Sequence, residues 1–151
     1  LLFTLPLAHG FGLTWSDCGD ADTHATVADL QPTTIKLGKN SLKGTGTLDK
    51  DEDGGSFNFV TKSGPIPVLK GTGDLCQDTT IDMPGGIGTV VFHGLECPIK
   101  AGDLEVDLDV NVLSEEAFNN LLNIHLTAQS TSGDKILCLD IGVQAAEEIN
   151  V

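Results

Sequence analysis

The sequence predicts an all-β domain, a two-layer sandwich or barrel of about seven to nine short strands. Three observations point there. From Asp103 to Val112, apolar Leu104, Val106, Leu108, Val110 and Val112 alternate with Asp103, Glu105, Asp107, Asp109 and Asn111, the period-two pattern of a half-buried strand. Similar short apolar runs recur along the chain, separated by Gly, Pro, Asn, Asp and Ser. Helical spacing is confined to one stretch near 114–122. A small closed barrel of the ligand-holding type is the alternative arrangement.

Each element follows from its residues. Thr14-Trp15-Ser16-Asp17-Cys18 is an extended entry, followed by a polar stretch from Gly19 to His24. Val27, Leu30, Ile35 and Leu37 predict two short strands separated at Gln31-Pro32, because proline has no N–H to give a central ladder. Asn40 to Leu48 is a strand weakened by Gly44 and Gly46; the acidic turn Asp49 to Gly55 leads into Ser56 to Val60, which pairs back. Ile66, Val68 and Leu75 continue the pattern beyond Gly64-Pro65. Thr79 to Gly94, rich in Gly, Pro and Thr, is expected to be an irregular loop between Cys76 and Cys97.

After the alternating strand, Ser114 is a good N-cap and Glu115 and Glu116 suit the helix dipole. Ala117, Phe118, Leu121 and Leu122 share a face, so one or two helical turns are predicted. Alternation resumes at Ile124, Leu126 and Ala128, turns at Ser130 to Gly133, and ends in a strand from Ile136 to Val143. There Leu137, Leu139, Ile141 and Val143 share a face and Cys138 takes the other.

The 151 residues form one domain over 11–151, long enough to bury roughly two thirds of its unfolded surface. Residues 1–10 read as an apolar arm or the remnant of a secretory signal, broken by Pro6 and short of the about 20 apolar residues that span a membrane. A net charge of −14, from 22 acids against eight lysines and no arginine, excludes nucleic acid as a partner. Four cysteines, Cys18, Cys76, Cys97 and Cys138, fit an oxidising compartment. They allow three pairings, and none has the close spacing of a structural zinc site.

Chemistry is sparse. Asp49-Lys50-Asp51-Glu52-Asp53-Gly54 matches the first half of a calcium loop, yet Val60 stands where the closing glutamate belongs, so an acid-rich hairpin turn is the reading. No metal or cofactor is expected. Neither a Gly-x-Ser-x-Gly elbow nor a His-Glu-x-x-His helix is present, so no enzyme activity is expected. Asp20, Asp22 and His24 read as a solvated turn. His93 and His125, within predicted strands, read as structural histidines that could make ligand binding pH-dependent.

Four segments in order carry a resemblance: Trp15-Ser16-Asp17-Cys18-Gly19, Asp74-Leu75-Cys76, Cys97-Pro98-Ile99-Lys100-Ala101-Gly102, and Ser132 to Ile141. Together they resemble the ML, or lipid-recognition, domain family. Its members include the Niemann-Pick type C cholesterol carrier, ganglioside activators and phosphatidylglycerol/phosphatidylinositol transfer proteins. The resemblance implies an immunoglobulin-like β-sandwich of two antiparallel sheets, splayed around an internal apolar cavity. It further implies the nested pairing, Cys18 with Cys138 and Cys76 with Cys97, with the insert between the latter two bordering the cavity mouth. The sequence lacks the third disulfide of many members, and its Cys76–Cys97 interval is longer than that of the cholesterol carriers.

Composition agrees with a cavity without requiring one. Only seven aromatic residues, no tyrosine and 18 glycines leave aliphatic walls with few bulky fillers, or else sheets packed close together. With the resemblance, the candidate cavity wall is Phe57, Phe59, Ile66, Val68, Val91, Leu104, Val106, Leu108, Ile124, Leu126 and Leu139. Met83, Ile87 and Phe118 are the candidate mouth, where exposed apolar groups would dock on a membrane or a protein partner. The expected function is lipid binding and transfer by a secreted or lumenal protein, in lysosome, vacuole or extracellular space, with a sterol, phospholipid or glycolipid as ligand. The alternative is a structural or interaction subunit with a closed core, docking through its acidic surface and apolar N-terminal arm.

Overall fold

The alternating runs pair into two facing antiparallel sheets. The computed structural model describes residues 7–8, 10–114, 122–145 and 149–150. The first sheet is ordered β3 (Ala25–Gln31), β5 (Gly38–Leu48), β10 (Gly102–Val112), β9 (Gly88–Phe92), β8 (Thr79–Asp82). The second is ordered β4 (Thr34–Lys36), β2 (Gly10–Asp17), β12 (Lys135–Ala145), β11 (Leu122–Ser130), β6 (Gly55–Ser63), β7 (Ile66–Asp74). A separate short pair joins β1 (Leu7–Ala8) to β13 (Ile149–Asn150).

Register fixes the faces. Leu104, Val106 and Leu108 of β10 stand opposite Gly46, Gly44 and Leu42 of β5, and Leu108 and Val110 stand opposite Phe92 and Val90 of β9. In the second sheet Ile124 and Leu126 of β11 stand opposite Ile141 and Leu139 of β12 and Thr61 and Phe59 of β6. Ile141 and Val143 in turn face Trp15 and Leu13 of β2. Directly paired residues share a face, so these side chains point at the opposing sheet.

The buried core forms two clusters. One gathers Phe11, Leu13, Leu30, Ile35, Leu42, Val110, Val112 and Val143; the other gathers Ala25, Leu48, Phe57, Phe59, Leu75, Phe92, Ile99, Ala128 and Ile136. The partly buried Leu108 and Ile124 pack against both clusters. The clusters thus lie towards opposite ends of the strands, with those two residues between them.

Two glycines of β7 show how the second cluster is built. Gly71 and Gly73 pair with Phe59 and Phe57, and a Cβ added at Gly71 would lie 2.6 Å from Cζ of Phe59. The bare backbone lets the two rings lie over the edge strand, and Phe57 reaches across to Phe92 with ring centroids 4.9 Å apart.

The structure corrects two sequence expectations. Thr79 to Gly94 is not an irregular loop: β8 and β9 pair as a hairpin, with Thr80 opposite Val91, around a single 3₁₀ turn at Pro84–Gly86. The strands are four and five residues long, too short to produce visible alternation, and Gly85 and Gly86 supply positive φ of 74° and 68° for the turn. The two short strands predicted on either side of Gln31-Pro32 are β3 and β4, and they lie in opposite sheets. The Cys76–Cys97 disulfide does not sit with the tip of its insert. It lies beside Leu75 and Ile99 of the second cluster, whereas Met83 and Ile87 pack against the first. The predicted helical turn at 114–122 falls mostly on residues 115–121, outside the described residues; Leu122 begins β11.

Both implied disulfides are present. Cys18–Cys138 ties the end of β2 to its neighbour β12, and Cys76–Cys97 ties the loop after β7 to the loop before β10, joining the two sheets.

Candidate functional site

The inward face of the sandwich changes character along its length. On β10, a central strand, Val110 and Val112 are buried but Leu104, Val106 and Leu108 are only half-buried. On β11, central in the other sheet, Ala128 is buried but Ile124 and Leu126 are half-buried, as are Trp15 and Ile141 beside them. Neighbouring strands cover the flanks of a central strand, so partial exposure there shows that these mostly aliphatic inward positions are not fully covered by the opposing sheet.

The predicted wall residues divide. Leu104, Val106, Leu108, Ile124 and Leu126 lie in this half-buried band, while Phe57, Phe59 and Leu139 point inward and are buried. Val91 does not face the interior: it pairs with Asp109 on the outer face, and Val90 and Phe92 take the inward positions. Ile66 and Val68 lie at the start of β7 and are 64% and 43% exposed. A register shift opposite Thr61 and Lys62 leaves Val68 between Pro67 and Leu69 without a paired residue. Met83 and Ile87 flank the 3₁₀ turn and are partly buried. Phe118 lies outside the described residues.

Sequence reading did not place Trp15, Val90 or Ile141 in the wall, although the register turns each towards the opposing sheet. Ile141 was detectable from its alternation with Leu139. It also missed Leu37 and Leu113, 52% and 60% exposed. These two flank Gly38 and Val112, which pair with each other. Ser63 and Leu122 pair at the same end in the other sheet, next to Ile66. Among the described residues, the four exposed large apolar side chains, Leu37, Ile66, Val68 and Leu113, therefore gather at the end of the sandwich that also holds the Met83–Ile87 turn.

A family profile described as the ML domain matches residues 12–145. The chain belongs to the ML domain family. The match runs from β2 to the last residue of β12, so both sheets lie within the ML domain. A phosphatidylglycerol/phosphatidylinositol transfer protein of Mycosarcoma maydis is 28% identical over 139 residues, covering 89% of this chain and 67% of its own. A protein of the same name from Aspergillus fumigatus is 28% identical over 114 residues, 74% of this chain and 58% of its own.

The outer face of the ML domain is polar. An open depression of about 700 Å³ over Gly142 is lined by Thr14, Trp15, Ser16, Val60, Lys62, Asn123, Ile124, His125, Asp140 and Ile141. A second of about 290 Å³ lies beside the Cys18–Cys138 disulfide. Both lie along the six-stranded sheet, and their linings mix polar with apolar side chains. Each described histidine hydrogen-bonds an aspartate at 2.6 Å: His24 with Asp49, His93 with Asp109 and His125 with Asp140. Asp20 takes Lys135 instead, at 2.8 Å, so Asp20, Asp22 and His24 do not form an acid–base group.

The His93–Asp109 pair sets a pH window. Its hydrogen bond raises the His93 pKa, with Asp78 and Asp107 adding to the effect, and the same bond lowers that of Asp109. The histidine's contribution to stability is present below its unfolded pKa and lost as pH rises through the raised value. That of Asp109 is present above the unfolded carboxylate value and lost as pH falls through the lowered one. The pair therefore contributes between the two folded-state values. A proton NMR titration is expected to give His93 a midpoint above the ordinary value of about 6.5, returning towards it in Asp109→Asn. An unchanged midpoint in the variant would refute the assignment.

Proposed function

We propose that this ML domain binds a phospholipid, holds its acyl portion between the two sheets and transfers it between membranes without covalent chemistry. The observation that carries this reading is the band of half-buried aliphatic side chains facing inward from the central strands β10 and β11. A closed-core interaction subunit would bury those positions completely. The named activity of the two fungal relatives supports a lipid ligand, and a phospholipid over a sterol or glycolipid.

The end bearing Leu37, Ile66, Val68 and Leu113 is the proposed docking and exchange surface. Lys36, Lys39 and Lys62 occupy strand ends there, opposite Gly10, Asn111 and Asn123, and would offset the −14 charge near an anionic head group. The two disulfides support a secreted or lumenal setting.

The test is transfer of labelled phosphatidylglycerol and phosphatidylinositol between vesicles at pH 5 and pH 7, with labelled cholesterol as comparison. Transfer rising with protein concentration for the phospholipids is expected. No uptake at either pH, together with no lipid extracted from purified protein, would reject the proposal; preference for cholesterol would reject the phospholipid assignment.

A further inference from the structure

Glu52 is the one described residue whose side chain is buried and carries a polar atom without a hydrogen-bond partner. It is 4% exposed, and its Oε1 is unpartnered among the described residues. Leaving a buried carboxylate oxygen unpaired is costly, and this one is neither in the lipid band nor on the two depressions. The carboxyl is turned towards His24 and Asp134, with one donor atom from each of the three residues within 4.8 Å of the others.

Main-chain hydrogen bonds hold the three donors from separate segments. His24 donates its backbone N–H to the carbonyl of Lys135, next to Asp134, at 3.0 Å, and Asp49 donates to the carbonyl of His24 at 3.0 Å. Glu52 and Ile99 exchange backbone bonds at 2.9 and 2.7 Å. Asp134 is fixed by its own turn, its N–H donating to Oγ of Ser130 at 2.9 Å. Asp49 accepts from Nδ1 of His24 at 2.6 Å, which leaves Nε2 as the ring nitrogen able to coordinate. That is the carboxylate–histidine arrangement that orients imidazole ligands on metals.

We propose that His24, Glu52 and Asp134 bind one divalent transition-metal ion of the zinc class. One imidazole and two carboxylates suit such an ion better than calcium, which takes six or more oxygens. The ion would clamp the start of β3, the β5–β6 turn and the β11–β12 turn, joining the two sheets at the end opposite the exposed apolar residues. Nζ of Lys50 lies 2.6 Å from Oδ2 of Asp134 and offsets its charge. Lys50 is about half exposed at 53%, so its ammonium can swing into solvent when the ion enters. The calcium-like spelling at Asp49 to Gly54 contributes only Glu52 as a direct ligand, since Asp51 turns to the backbone N–H of Ala101 and to Lys100.

Chelator-treated protein titrated calorimetrically with Zn²⁺ and with Ca²⁺ tests the site. One Zn²⁺ per chain is expected, bound at least tenfold more tightly than Ca²⁺ and raising the melting temperature. Glu52→Gln and the partly exposed His24→Gln should each weaken Zn²⁺ binding at least tenfold. Lys50→Gln should strengthen it by removing a competing cation, which a purely structural ion-pair cluster would not do. Absence of saturable Zn²⁺ binding, equal or tighter Ca²⁺ binding, or unchanged Zn²⁺ affinity in His24→Gln would each overturn the proposal. If Glu52→Gln does not fold, His24→Gln and Lys50→Gln decide.

Discussion

Replacing Cys18 and Cys138 together by alanine is expected to cost about 2–5 kcal/mol of stability, a large part of the about 5–15 kcal/mol that holds a domain of this kind. The bond joins residues 120 apart in sequence, so cutting it frees nearly the whole chain in the unfolded state, and the entropy regained grows with loop length. The Cys76–Cys97 bond closes a separation of only 21, for which the same reasoning gives about 3 kcal/mol. Urea unfolding of the two double-alanine variants side by side checks the ordering. A larger loss from the shorter bond would show that sheet-to-sheet stapling outweighs chain entropy.

Leu108→Trp is expected to lower phospholipid transfer at least tenfold, about 1.4 kcal/mol in binding terms, with the melting temperature little changed. Leu108 points inward from a central strand, is only half-buried and packs against both core clusters. An indole there would take up space proposed for the acyl chain. In a filled core the same substitution would overpack the interior at about 1–3 kcal/mol, and Leu108→Ala would cost about 2–5 kcal/mol by opening a cavity. In a lipid-holding interior the alanine variant leaves stability of the lipid-free protein nearly unaltered. Transfer assays and thermal melts on both variants separate these cases. Undiminished transfer in Leu108→Trp, or a strongly destabilised Leu108→Ala, would count against a lipid between the sheets.

Legibility varied with local pattern. The strand from Asp103 to Val112 was readable because alternation over ten residues leaves one choice of face. Val90-Val91-Phe92 gave no such choice: three apolar residues in a row leave parity open until Val91 pairs with Asp109. Ile66 and Val68 look like inward positions of a regular strand. The register shift next to Pro67 breaks the period, and both end exposed. Glu52 read as one more acid in a hairpin turn, because the local sequence shows neither its bridge to Ile99 nor its approach to His24 and Asp134.

The sequence by itself determined the all-β character, most strand positions and the ML resemblance, since these rest on local periodicity and short motifs that need no partner to be seen. Tertiary structure alone decided which strands share a sheet, which end gathers the exposed apolar residues, and that the Cys76–Cys97 bond lies away from the tip of its own insert. Those outcomes depend on register between segments far apart in the chain, and a side chain's burial is set by what the opposing sheet brings to it.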